Sequence, residues 1–273
     1  MTSSVSREAY GEASEQLAAN TTAATAPQLA TVADEILSVA GLLRAQPRLR
    51  RALTDPSRPG SDRAGLLKSL LSGKISEVAV NAVAALVAGR FSRPTELLDA
   101  TERLGVDALL ASAERDGKLG DVEDELFRFS QIVSGDSALA VTLSDAGAPV
   151  ERRVKLVQDL LKGKVHVATG RLVEVALTGF GGRGFEASLT RLVEATAAKR
   201  DREVAYVTVA KPLTDAEEQS LAAKLSTVYG RQVSLKVDVQ PAVLGGVSVR
   251  VGSDLYDGTV LRKLNAAKQA FAK

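Results

Sequence analysis

The chain carries one histidine, His166, and no cysteine. Without thiols there are no disulfides, thiolate metal sites, iron–sulfur clusters or cysteine nucleophiles. Any Ser–His–Asp relay would have to use His166, yet there is no nucleophile elbow. No Asp or Glu follows His166 at i+3 or i+4 either. Beside Lys164 and Val165 at a helix start, His166 reads as a solvated or capping residue. The run Gly179-Phe180-Gly181-Gly182-Arg183-Gly184 invites comparison with a phosphate-cradling loop. A dinucleotide fingerprint needs a strand before it and a helix after it. Here a helical pattern precedes it and no P-loop Lys-Ser/Thr follows, so it reads as a flexible helix–helix loop. The acidic run Asp121–Glu125 falls in a first helical turn, where negative charge complements the helix dipole. The basic run Arg44–Arg51 crosses a helix break without interleaved aromatics and reads as a solvated face. No constellation calls for catalysis, a metal or a cofactor.

Composition narrows the classes further. Thirty-five Lys and Arg against 33 Asp and Glu leave +2, too small a surplus for a nucleic-acid footprint. Aromatics are 4% with no Trp, so the cores must be built from Leu, Val, Ile and Ala, which favours packed helices. The apolar stretch Val78–Ala88 is interrupted by Asn81. It is far shorter than the roughly 20 residues that span a bilayer. The first residues lack the basic and apolar regions of a signal peptide. These features predict a cytoplasmic chain that does not insert directly into a membrane.

The elements that would position any site come from a duplication. Residues 34–96 laid on 124–186 give sixteen identities in 63 positions without a gap. Asp34-Glu35 meets Asp124-Glu125, Pro59 meets Pro149, and Leu70-Leu71-Ser72-Gly73-Lys74 meets Leu160-Leu161-Lys162-Gly163-Lys164. Each copy has helical periodicity. Leu29, Val32, Ala33, Ile36, Ala40 and Leu43 mark one buried face, and Val122, Leu126, Phe129, Ile132 and Val133 its counterpart. Shorter helices follow around Arg48–Leu53 and Asp62–Ser72, the latter closed by Gly73 in a left-handed cap. More apolar helices follow over Glu77–Ala88 and Val167–Thr178. Between Thr95 and Asp116 only Gly105 weakens the helical pattern, so one helix is expected to run from the first bundle into the second.

After Arg202 the period changes. Val204–Ala210 reads as a strand, and Thr214-Asp215-Ala216-Glu217 as a capping box opening a helix that ends at Gly230. Val233, Leu235, Val237 and Val239 alternate with polar residues, as do Val247, Val249 and Val251. A short strand at Leu255–Asp257 and an amphipathic helix over Thr259–Phe271 complete the pattern. The fold class is therefore mainly α: two tandem helical bundles, 1–104 and 105–201, followed by a small α+β domain, 202–273.

Pro241-Ala242-Val243-Leu244-Gly245-Gly246-Val247-Ser248-Val249-Arg250-Val251-Gly252, with Leu255-Tyr256-Asp257-Gly258-Thr259-Val260 and Leu264, resembles the C-terminal signature of the delta (oligomycin-sensitivity-conferring) subunits of F-type ATP synthases. Arg7–Ala13 and Ala108–Asp136 resemble that family's opening helices. The departure is the second helical bundle. The resemblance implies a non-catalytic stator subunit, peripheral on the cytoplasmic side of the membrane; the residues taken without it also allow a free-standing helical scaffold or regulatory protein with an appended α+β module. The stator subunit would join the catalytic hexamer to a b-type stalk subunit and resist rotor torque during proton-driven synthesis. In the family, a bundle takes the N-terminal helix of an alpha subunit between its first and fifth helices. Carried onto this sequence, the first bundle offers Tyr10, Ala13, Leu17, Val80, Val83 and Val87. The second offers Val106, Leu109, Leu110, Leu172, Val173 and Leu177. Two grooves imply a grip on two different alpha helices. Gly245, Gly246 and Gly258 are expected to set the backbone geometry of the C-terminal module, and Arg250, Gly252 and Asp257 complete its structural motif.

Overall fold

The computed structural model describes residues 4–200, 202–230, 232–241, 246–251 and 254–257. They are mainly helical. The first copy comprises α1 (Ser4–Asn20), α2 (Ala26–Ala45), α3 (Pro47–Leu53), α4 (Gly60–Leu71) and α5 (Glu77–Ala88). A single helix, α6 (Pro94–Arg115), passes through the expected copy boundary. The second copy continues with α7 (Leu119–Gly135), α8 (Ser137–Ser144), α9 (Val150–Leu161), α10 (Val167–Leu177) and α11 (Phe185–Lys199).

The helix order repeats at the offset found in the sequence. Gly60–Leu71 and Val150–Leu161 begin and end ninety residues apart, and α5 and α10 begin ninety apart. The caps repeat with them. Pro59 and Pro149 precede α4 and α9 in nearly the same conformation, and Gly73 and Gly163 both take left-handed φ, +72° and +69°. At the start of α5 the Ser76 hydroxyl accepts from the Ala79 N–H, and the Ser76 N–H donates to Glu35 at 3.0 Å. At the start of α10, His166 Nδ1 accepts from the Ala168 N–H, and the His166 N–H donates to Glu125 at 2.9 Å. The lone histidine is thus a helix cap, and Glu125 of the acidic run has a structural task.

The described residues fall into two compact units, one within Met1–Glu125 and Ala138–Leu189, the other within Leu126–Ser137 and Thr190–Lys273. The second copy therefore contributes helices to both. In the first unit, α2 runs antiparallel along α6, with Ser112 donating to the Ala26 carbonyl and Arg44 paired with Glu102. A Cβ on Gly105 would lie 2.7 Å from Leu37 Cγ, so glycine at that point lets the two helices approach closely. Arg63 of α4 donates to the carbonyls of Val87, Ala88 and Gly89, taking up exposed acceptors at the end of α5. Arg153 of α9 repeats this with Leu143 and Leu177.

In the second unit, β1 (Arg202–Val209), α12 (Asp215–Tyr229), β2 (Gln232–Val239), β3 (Val247–Val251) and β4 (Asp254–Asp257) form a sheet of order β2-β1-β3-β4. β1 pairs parallel with β2 through the α12 crossover, and antiparallel with β3. Ala205, Val207, Val209, Leu225, Val233, Val249 and Val251 make its core. The capping box is present, with Thr214 accepting from the Glu217 N–H and Glu217 accepting from the Thr214 N–H.

Four readings need correction. Ile132, assigned to a buried face, is 59% exposed. Strict alternation in β2 fails. Lys236 is 4% exposed, its ammonium 5.5 Å from the Phe127 ring centre, while Val239 at the strand end is 40% exposed. A long aliphatic stem and a cation–π contact let lysine occupy that site. The basic run is more than a solvated face: Arg50 donates to the carbonyls of Leu43 and Arg44, and Arg44 pairs with Glu102. The glycine-rich loop is an ordered 3-10 turn, Phe180–Gly182, with Phe180 buried and the Gly181 N–H bound to Glu102 at 2.9 Å. The helix expected over 259–271 lies outside the described residues.

Two pairs of substitutions test this packing. A Cβ on Gly60 would stand 2.3 Å from the Ala88 carbonyl oxygen, whereas one on Gly65 of the same helix meets nothing within 4 Å. Gly60→Ala should cost about 1–3 kcal/mol in chemical denaturation, and Gly65→Ala should gain up to about 1 kcal/mol from helix propensity. His166→Ala should cost about 1 kcal/mol and His166→Ser much less, because serine fills the same cap in the first copy.

Candidate helix-binding faces

The twelve residues assigned to the two grooves are all buried. Tyr10, Ala13 and Leu17 on α1 and Val80, Val83 and Val87 on α5 lie where α1 packs on α5. Val106, Leu109 and Leu110 on α6 and Leu172, Val173 and Leu177 on α10 lie in the equivalent contact. They set the spacing of the helices, so a partner helix would lie on the outward side of that contact. On α5 the outward strip is Asn81, Ala85 and Ala88 at i, i+4 and i+7. Asn81 is the one polar residue of α5 after its first position.

Ninety residues on, the same strip of α10 is Arg171, Val175 and Thr178. These line a cavity of about 450 Å³ shared with Asp34, Leu37, Ser38, Gly41 and Arg44 of α2. Arg171 pairs with Asp34 at 3.2 Å and with Glu174 at 3.3 Å. Glu102 forms the inner wall, 3% exposed at its side chain, paired with Arg44 and accepting the Gly181 N–H. Burial raises its carboxyl above the usual range, opposed by the Gly181 N–H and Arg44. Asp34 is raised by burial too, with Arg171 opposing and Glu174 reinforcing. This polar seam was not read from the sequence: Asp34 and Arg171 are 137 positions apart and neither sits in a motif.

Around α1, the Tyr10 hydroxyl donates to Asp107 of α6, and the Arg103 guanidinium sits 4.4 Å from the Tyr10 ring centre. Burial pushes the Tyr10 hydroxyl well above the phenol range, and the Asp107 charge adds to this. Tyr10 therefore works as a fixed donor that ties α1 to α6.

In the C-terminal unit, register places Tyr206 between Lys236 and Arg250. Arg250 lies 4.7 Å over the Tyr206 ring, and Phe127 is tilted against it at 6.4 Å. These side chains line a cavity of about 330 Å³ that also takes in Asp238 and Gln131. Of the C-terminal signature, Gly246 has φ +91°, a value that favours glycine. The backbone of Asp257 pairs with Ser248. Gly245, Gly252 and Gly258 lie outside the described residues. Among the described residues no His/Asp/Glu cluster has metal-binding geometry, and no helix is long and apolar enough to cross a membrane.

The profile of the family described as ATP synthase delta (OSCP) subunit matches residues 106–271. Over its whole 273 residues the chain is 60% identical to "ATP synthase subunit delta" of Salinispora arenicola and 56% identical to that of Salinispora tropica, covering all of each. It is 43% identical to the Streptomyces griseus protein of the same name, over 98% of this chain and 99% of that one. A chain in a Toxoplasma gondii mitochondrial ATP synthase hexamer matches 62% of this chain and 95% of its own length, at 19% identity and a TM-score of 0.38.

The raised carboxyl of Glu102 gives a signed pH effect. Above the ordinary carboxylate value the unfolded chain has released this proton while the folded chain still holds it. Stability from this group therefore falls as pH rises through the window up to its raised value. Urea midpoints measured between about pH 4 and 7 should show a flatter profile for Glu102→Gln than for the unaltered chain.

Proposed function

The chain belongs to the ATP synthase delta (OSCP) subunit family, as a non-catalytic structural subunit, and we propose how it serves there as a stator. It joins the alpha/beta catalytic hexamer to the b-type peripheral stalk subunit, peripheral on the cytoplasmic side of the membrane, and resists rotor torque during proton-driven ATP synthesis. The observation that carries this is full-length identity of 60% and 56% to proteins named ATP synthase subunit delta.

The mechanism is mechanical. Rotation of a central shaft drags on the hexamer, and the linkage opposing it needs slow dissociation and little internal give. A helical bundle meets both needs by laying a partner's amphipathic helix along an outward strip, with anchors at i, i+3, i+4 and i+7. Here the partner is the N-terminal helix of an alpha subunit. The strip on α5 is held in place by the buried contacts of Tyr10, Ala13, Leu17, Val80, Val83 and Val87. Val106, Leu109, Leu110, Leu172, Val173 and Leu177 do the same for α10. The C-terminal sheet, with its exposed Leu255 and Tyr256, meets the end of the stalk subunit. Gly246, with its left-handed φ, sets the turn that leads into β3. No nucleic acid and no cofactor enter this scheme.

Membranes stripped of this chain should keep ATP hydrolysis by the hexamer but lose proton-driven ATP synthesis, and adding the purified chain should restore synthesis. Undiminished synthesis in its absence would rule out the stator reading.

A further inference from the structure

The two faces of the C-terminal sheet have different surroundings. Ala205, Val207, Val209, Val233, Val249 and Val251 pack with Leu225 of α12. The alternate residues point the other way. On that face, register sets Lys236, Tyr206, Arg250 and Leu255 in one row across the four strands. Asp238, Thr208, Ser248 and Asp257 form the next row. Phe127 and Gln131 of α7 stand over part of these rows, and the cavity of about 330 Å³ lies between.

This cavity differs from the larger one beside α2 in what its polar groups touch. There Asp34 and Glu174 are matched by Arg171, and Glu102 by Arg44. Here, among the described residues, no hydrogen bond or ion pair engages the side chains of Gln131, Thr208, Ser248 or Arg250. Gln131, Thr208 and Ser248 are half-buried, so solvent serves their donors only in part. The Arg250 guanidinium sits 4.7 Å over the Tyr206 ring, a position from which its fork of N–H donors can close on an oxyanion. Lys236 and Arg250 against Asp238 leave a surplus of one positive charge among the lining residues. A phosphate dianion would set a second negative charge against Asp238, whereas a single carboxylate balances the surplus. Phe127, Tyr206 and Val207, with Leu255 exposed beside them, supply the apolar wall that a carbon chain needs.

We propose that this cavity binds one carboxylate borne on an apolar carbon chain. Arg250 is the anchor, its fork closing on both carboxylate oxygens, and Gln131, Thr208 and Ser248 supply neutral donors around them. The carbon chain behind the carboxylate lies against Phe127, Tyr206 and Leu255. A volume of about 330 Å³ is near the small end of ligand pockets, which run from roughly 300 to 1,000 Å³. The ligand is therefore a short acid or the last residues of a chain, and not a helix laid along the sheet. Two sources carry this chemistry, a free small acid and the C-terminal carboxylate of a partner polypeptide. The site goes beyond the stator reading, and neither depends on the other.

NMR of the isotope-labelled full-length chain follows the Gln131 carboxamide and the Arg250 Nε–H during titration with N-acetyl-leucine, with its uncharged amide, and with inorganic phosphate. N-acetyl-leucine should shift both signals saturably, and at least tenfold more tightly than either of the other two. Arg250→Gln should weaken its binding at least tenfold. Arg250→Lys should weaken it at least threefold, because a point charge cannot present the fork. Thr208→Val combined with Ser248→Ala keeps Arg250 and should also cost at least threefold; circular dichroism melts of each variant separate a loss of binding from a loss of fold. A synthetic peptide of the stalk subunit's C-terminal segment, with a free or an amidated end, distinguishes the sources. Tighter binding than N-acetyl-leucine that is lost on amidation assigns the site to a partner chain, and no such advantage assigns it to a free acid. No saturable shift with N-acetyl-leucine, equal binding of its amide, tighter binding of phosphate, or an unchanged affinity in a folded Arg250→Gln variant overturns the inference. Each of those results leaves the stator reading standing.

Discussion

α6 must be a wall for two sets of helices at once, and much of the first unit follows from that. Its N-terminal half closes the first copy and its C-terminal half opens the second. A surface helix normally buries one stripe, but from Ala100 to Ala113 α6 is buried on almost every side. Polar groups there need partners: Thr101 donates back to the Leu97 carbonyl, Ser112 to Ala26, and Glu102 is held by Arg44 and the Gly181 N–H. Breaking such a buried ionic arrangement by removing one partner typically costs about 3–5 kcal/mol. Gly105 removes the side chain where α2 crosses closest.

The duplication has kept geometry while changing chemistry. Glu35 receives the N–H of a serine cap, and Glu125 that of a histidine cap. Arg63 and Arg153 each gather carbonyls at the end of the following apolar helix. The reason is the same in both: the first N–H groups and last C=O groups of a buried helix need partners, whatever side chain supplies them. On the outward strips no such demand applies, and there the copies have diverged, from Asn81 to Arg171 and from Ala85 to Val175.

For a stator, the useful property of this arrangement is that packing and polar contacts act together. Apolar burial supplies most of the stability but little direction. The ion pairs fix register: Arg44 with Glu102 ties α2 to α6, and the exposed pair of Asp34 with Arg171 links α2 to α10 across the cavity. The exposed pair adds little energy by itself, so resistance to displacement comes from the Leu37–Gly105 contact and the buried Glu102 network.

The sequence by itself determined the helices, the duplication and the continuous α6. Helical periodicity, proline and glycine punctuation and capping residues all act between neighbours a few positions apart. Thr214 with Glu217 and Gly73 with its turn are examples, and both occur as read. The switch to strands after Arg202 was equally local. What only the tertiary structure decided were the partnerships between distant residues. Lys236 looked like the polar side of an alternating strand and is buried under Phe127 because a separate helix covers it. Ile132 fitted an apolar stripe and is exposed because periodicity gives a face but not the width of what packs on it. The glycine-rich turn found its partner in Glu102, 79 positions earlier.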